Sequence, residues 1–218
     1  MMDRRQLILG AIFSLAPWSQ ARTQGAWGRP WTKVPSVTAL YQGKDERVQL
    51  VHDAVDYWNR TFAEIGSKFR LGAVTETAGA IPVGDLAMLS EAALNGRGSQ
   101  DLPQSVRRIA GDIVVALSDG DFISFSFRSL ALQKAVAAIR SAHLLPLTLP
   151  NVARNVITHE LGHAIGLGHN ADPTKLMCGR PAPCRPAAFA SPTARFFPLT
   201  GDEKASLLAM YPANWVGR

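Results

Sequence analysis

Apolar positions along the chain recur with two different periods, and each change of period marks a new element. Val37, Ala39 and Tyr41 alternate across Ser36–Tyr41, the spacing of a strand. From Glu46 to Ile65 the spacing lengthens: Val48, Val51, Val55, Trp58, Phe62 and Ile65 fall on one face of a long amphipathic helix. Phe69–Val74 reads as a second strand and Asp85–Leu94 as a short helix, ended by the loop Asn95-Gly96-Arg97-Gly98. Asp112–Leu117 and Phe122–Phe127 read as strands joined by Ser118-Asp119-Gly120-Asp121. Leu130–Ala142 fits two states, since its alanines favour a helix while its position permits an edge strand. The alternation predicts an α/β (α+β) fold: a small mixed sheet with a long backing helix.

A further helical stretch follows Pro150, with Asn151 as its expected cap and Val152, Asn155, Val156, His159 and His163 at helical intervals. His159 and His163 are four residues apart, about 6 Å along a helix axis and on nearly one face. Two imidazoles so placed point at one spot, as a tetrahedral zinc ion requires. Glu160, rotated by about 100° from His159, is poorly placed as a ligand but can reach a water on the metal. Gly166 and Gly168 then break the helix, because glycine takes the left-handed conformation that side chains penalise. The resulting turn lets His169 swing back as a third ligand. Three protein ligands leave a fourth position open, the mark of a catalytic zinc site.

The segment His159-Glu160-Leu161-Gly162-His163-Ala164-Ile165-Gly166-Leu167-Gly168-His169 resembles the extended zinc motif of the metzincin metallopeptidases. Met177, eight residues after His169, is similar to the methionine of that clan's turn beneath the zinc, at a spacing like that of the matrixins. The resemblance, closest to exported bacterial-type matrixins, is strong over residues 151–179 and architectural elsewhere. It implies a metzincin-like catalytic domain over 36–218, closing with a helix after Leu199, where Thr200 and Glu203 form a capping-box pattern. It also implies one catalytic zinc ion, Glu160 as general base, Met177 packed under the imidazoles, and peptide-bond hydrolysis within protein or peptide substrates. The chain from Gly179 to Pro198 would wall the pocket beyond the scissile bond, where Arg180, Arg185 and Arg195 could favour acidic substrates.

Several positions depart from the matrixin pattern. Asn170 stands where matrixins carry serine, Cys178 where they usually carry tyrosine, and Gly179 removes the tyrosine that some other metzincins place near zinc. A second, structural zinc site cannot be assembled from His52 and His143 alone. Cys178-Gly179-Arg180-Pro181 is similar to a cysteine switch, but it follows the methionine turn and does not precede the domain.

Composition sets the remaining expectations. The 218 residues are 47% hydrophobic and 18% charged, enough apolar material for one domain with a proper core. Arg4 and Arg5, the apolar run Leu7–Trp18 and the small residues around Ser19–Ala21 have the layout of a secretory signal peptide over 1–21, of either the general or the twin-arginine type. That run is too short for a membrane anchor, and residues 22–35 are left as an arm. The protein is therefore expected to be exported, periplasmic or secreted, and monomeric. The net charge of +6 comes without a basic run interleaved with aromatics, so nucleic-acid binding has no support. Cys178 and Cys184, close together in an exported chain, suggest a disulfide; free thiols or a thiol on a metal are the alternatives. Asp119 and Asp121 offer oxygens that calcium can take, although a turn is the commoner reason for such a pair. Two other functions fit the same motif: a zinc-binding surface protein without turnover, and a zinc amidase acting on cell-wall peptides.

Overall fold

The computed structural model describes residues 29–95, 101–179, 184 and 191–217. Segments 1–28 and 96–100, and with them the signal-peptide reading and most of the loop after Asn95, lie outside the described residues. Five strands, β1 (Val37–Tyr41), β2 (Val74–Ala78), β3 (Ile113–Leu117), β4 (Phe125–Ser129) and β5 (Lys134–Ile139), form one sheet in the order β2-β1-β3-β5-β4. All neighbours are parallel except β4, which runs antiparallel to β5 along one edge. The long helix α1 (Arg47–Glu64) and the motif helix α4 (Pro150–Ala164) cover one face, with α5 (Gly201–Met210) joining their core; α2 (Val83–Leu94) and α3 (Gln104–Arg107) cover the other.

Strand periodicity assigns side chains to the two cores. Ile113, Val115 and Leu117 pack with Val51, Trp58, Ile157 and Leu161, whereas Val114 and Ala116 join Leu86, Leu89 and Val106. Strands buried on both faces read as continuous apolar runs, which is the pattern of β3 and β5. Two links lock α1 against α4. The indole N–H of Trp58 donates to the Thr158 carbonyl at 3.0 Å, and Arg154 pairs with Asp53 at 2.6 Å.

Four expectations change. The second strand is Val74–Ala78, not Phe69–Val74. Phe69 and Leu71 are buried in a loop, where the Asn59 side chain serves both backbone groups of Leu71 at 2.8 and 3.1 Å in place of a strand neighbour. The fourth strand starts at Phe125, not Phe122. Before it, the Ile123 carbonyl accepts from Ser90 and the Ser124 hydroxyl accepts from the Arg140 N–H. Leu130–Ala142 holds neither a helix nor an edge strand: β5 is interior, and its small Ala135, Ala137 and Ala138 let helices approach on both faces. The short α3, begun by Pro103, was not foreseen.

Candidate metal centre

Helix α4 begins with Pro150 in its first turn, where a missing N–H costs nothing, and Leu149 occupies the cap position. Asn151 therefore does not cap the helix; its side-chain oxygen accepts from the backbone N–H of Arg195 at 3.2 Å. Asn155, one turn on and buried, accepts from the Phe197 N–H at 2.9 Å and donates to the Arg195 carbonyl at 2.9 Å. Together they clamp the returning chain to the motif helix, a role the sequence signalled only as helical spacing.

The helix ends in a paired-bond turn. The Gly166 N–H donates to the His163 carbonyl and the Leu167 N–H to the Gly162 carbonyl, both at 2.9 Å. Gly166 has φ 112°, a conformation that side chains rarely adopt. Gly168 has no positive φ, so the reversal falls on Gly166 and not on both glycines.

That turn brings His169 back over the helix. Its Nε2 lies 3.2 Å from Nε2 of His159 and 2.9 Å from Nε2 of His163. Nitrogens around a tetrahedral zinc at about 2.0–2.1 Å are separated by about 3.3 Å, so this cluster has nearly that size. The other ring nitrogens explain the orientation. Nδ1 of His159 meets the Leu176 carbonyl and Nδ1 of His163 the Leu167 carbonyl, each at 2.8 Å. A carbonyl only accepts, so both Nδ1 atoms carry the proton and both Nε2 lone pairs face inward. A proton on His169 Nε2 can serve only one of those lone pairs at a time. A cation satisfies all three nitrogens, and the donor set suits one zinc ion. Burial, with the charge of His169 adding to it, pushes His163 down to about 3, and burial also lowers His169. His163 is thus a neutral ligand at physiological pH.

Glu160 is buried, and its Oε2 meets no hydrogen-bond donor among the described residues. Burial pushes its carboxyl up to about 8 in the protein alone; a dication beside it would favour the carboxylate again. A cavity of 210 Å³ opens next to it, with Val156, His159 and Cys178 in its wall.

The loop carrying Met177 is held from several sides. The Asn170 N–H donates to the Met177 carbonyl at 2.9 Å, and the Gly179 N–H donates to the Asn170 carbonyl at 3.0 Å. Asn170 also donates through Nδ2 to Glu203 Oε1 at 2.5 Å, tying the residue after the third histidine to the capping box of α5. A Cβ on Gly179 would lie 2.6 Å from the Cβ of His169, so only glycine leaves room for that ring. Cys178 and Cys184 form the expected disulfide, with Cα atoms 5.7 Å apart.

Trp31 and Tyr211, which sequence reasoning did not single out, cap the far end of α4. The Trp31 indole N–H donates to the Ala164 carbonyl at 3.0 Å and the Tyr211 hydroxyl to the Ile165 carbonyl at 2.8 Å. Asp121 pairs with Arg140 at 2.8 Å and Asp119 lies 4.0 Å from Arg47, so neither belongs to an acidic cluster. His52 meets Glu76 at 3.0 Å on α1 and β2, apart from the centre. Among the described residues, the group able to hold a metal is His159, His163 and His169. Arg180 and Arg185 lie outside the described residues, and the Arg195 guanidinium stacks over Phe197.

No family model and no curated protein matches the chain. Solved structures similar to it include archaemetzincin from Methanopyrus kandleri, at 18% identity over 82% of this chain and 96% of that one, with a TM-score of 0.46. Metalloproteinase-II from Bacteroides fragilis is similar at 16% identity over 84% of this chain and 55% of that one, TM-score 0.47. A zinc-dependent peptidase from Methanocorpusculum labreanum is similar at 14% identity over 78% of this chain and 99% of that one, TM-score 0.38. Likeness at this level does not decide function, which rests instead on the convergence of the three histidines.

Proposed function

We propose that the chain is an exported zinc-dependent endopeptidase of metzincin type, with zinc on His159, His163 and His169 and Glu160 as general base. The observation that carries this reading is the convergence of three imidazoles, two of them fixed by Nδ1 bonds to carbonyls, beside a buried carboxyl with an oxygen unpartnered among the described residues. When bound, zinc supplies Lewis-acid polarisation of a carbonyl and an acidified water at neutral pH. Glu160, as the carboxylate that a neighbouring dication favours, takes the proton of the attacking water and hands it to the departing amine. His159 and His163 hold their ring planes through Leu176 and Leu167, so the centre needs little rearrangement as charge develops. Met177 supports the helix between the two ligands and does not touch substrate.

Export is supported by the disulfide and by the signal-like layout of residues 1–21. No helix among the described residues is long and apolar enough to cross a membrane. The domain would then run from residue 36 to 218, with 22–35 as an arm that brings Trp31 into the core.

Zinc content and cleavage of a mixed-peptide library, compared between the wild type and Glu160→Ala, test the reading. One equivalent of zinc in both and internal cleavage by the wild type alone is the expected result. Zinc in both without cleavage would instead favour a binding protein or an amidase of another specificity, and a protein that takes up no zinc would overturn the assignment.

A further inference from the structure

The cavity beside Glu160 has Ile123, Pro146, Leu147 and Val156 in its wall, together with polar groups. Apart from Glu160 and His159, the ionisable side chain in that wall among the described residues is Arg140. Arg140 directly follows β5, whose residues are all buried, so a rigid interior strand delivers it. Both of its backbone groups are fixed: the N–H donates to Ser124 Oγ at 3.1 Å, and the carbonyl accepts from Arg47 Nη1 at 2.7 Å. Nη2 of the guanidinium pairs with Asp121 at 2.8 Å, but the Asp121 side chain is 74% exposed. Water screens such a pair, and exchanging its carboxylate for another costs little. The Arg140 Nε is buried and has no acceptor among the described residues, so the charge is incompletely compensated.

We infer that Arg140 makes this cavity a subsite for an acidic side chain, glutamate above all, on the substrate residue flanking the bond that is cut. The inference rests on the peptidase reading and adds the substrate class to it. The methylenes of a glutamate would lie along Leu147 and Val156, with the carboxylate turned to the guanidinium, whose planar fork matches carboxylate geometry. Glu160 lines the same cavity and opposes an anion, an effect that a metal cation on the neighbouring histidines offsets. Glutamine fills the same volume without the charge. Hydrogen bonds to charged partners correspond to a preference of about 10-fold or more, which is the ratio expected for glutamate over glutamine.

Zinc-loaded protein is given peptide pairs that differ only by Glu, Gln or Lys at one position flanking the cut, and kcat/KM is read for each. In parallel, the affinities of the same peptides are measured on zinc-loaded Glu160→Gln protein. The expected Glu/Gln ratio is about 10 in cleavage and at least as large in binding, because Glu160→Gln removes the opposing carboxylate. Arg140→Gln should bring it close to one, and Asp121→Asn, at an exposed site that tolerates change, should raise it by removing the competing carboxylate. Each ratio is internal to its variant, so a general loss of activity does not mimic a lost preference. If Arg140→Gln does not fold, the Asp121→Asn ratio decides alone. A ratio near one in binding to the Glu160→Gln protein, or a ratio that neither substitution moves, overturns the inference. Absence of cleavage by any variant would remove the peptidase reading, while the binding ratio would still decide whether the cavity takes an acid.

Discussion

A Cβ built on Gly162 would lie 2.5 Å from the sulfur of Met177, so the methionine fills the space that any larger residue before His163 would need. The ring of Trp58 closes the same space from α1, 3.0 Å from that Cβ. Ligand helix, methionine loop and backing helix therefore meet at one glycine. In an exposed helix, Gly→Ala gains about 1 kcal/mol. Here overpacking of about 1–3 kcal/mol opposes that gain. Gly162→Ala is expected to lower the melting temperature, and adding Met177→Ala should recover part of the loss. A higher melting temperature for Gly162→Ala alone would show that the contact yields easily.

Gly179 stands in the same relation to His169. A methyl group there cannot coexist with the ring where it now lies, and the third ligand has to move. Disturbing the groups that hold a metal ligand in place typically weakens metal affinity about 10–100-fold. Gly179→Ala should show a loss of that size in competition with a chromophoric chelator, while the far-ultraviolet circular dichroism stays that of the wild type. Unchanged zinc affinity would mean that the loop shifts instead of the ring.

Trp31 is 1% exposed and bonds through its indole to the end of the motif helix. The Arg128 guanidinium lies 4.0 Å from its ring centroid. Trp31→Phe isolates the hydrogen bond and is expected to cost about 1 kcal/mol. Trp31→Ala opens a cavity as well and should cost about 3–5 kcal/mol. Urea denaturation of the metal-free protein reads both values. Similar losses from the two variants would show that the indole N–H matters more than the packing.

Asp53 joins α1 to α4 through Arg154. Burial raises its carboxyl, but hydrogen bonds from Gln49 and Arg154 and the charges of Arg154 and His52 outweigh that and leave it below 3.8. The native state thus binds a proton less readily than the unfolded chain. The resulting stabilisation is present above about pH 4 and is lost as pH falls through the depressed native value. Asp53→Asn should lower stability at pH 7 by about 1 kcal/mol or less, as for partly exposed pairs, and flatten the decline below pH 4. Parallel acid limbs for the two proteins would exclude this contribution.

Much of the site was legible because it is local. His159, Glu160 and His163 lie within five consecutive residues, where helix geometry alone sets the spacing of the side chains, and one glycine turn later comes His169. The capping box of Thr200 and Glu203 and the Cys178–Cys184 bridge are short-range in the same sense. The long apolar period of α1 survived translation into structure with its ends moved by a single residue.

What local pattern could not decide was anything set by a distant neighbour. Lys134–Ile139 is alanine-rich and helix-compatible in isolation, and becomes an interior strand because β3 and β4 flank it and helices close both faces. Leu71 looks like a strand residue, yet the Asn59 side chain takes its backbone partner's place. The glycine at 179 had meaning only once His169 was seen to occupy the volume of its missing side chain, and Arg140 only once β5 carried it to the cavity. By itself the sequence determined which three histidines converge and that a glycine turn brings the third back, since those depend on short-range spacing at one helix. The tertiary structure alone decided what lies against them, because packing joins residues whose separation in the chain leaves no periodic trace.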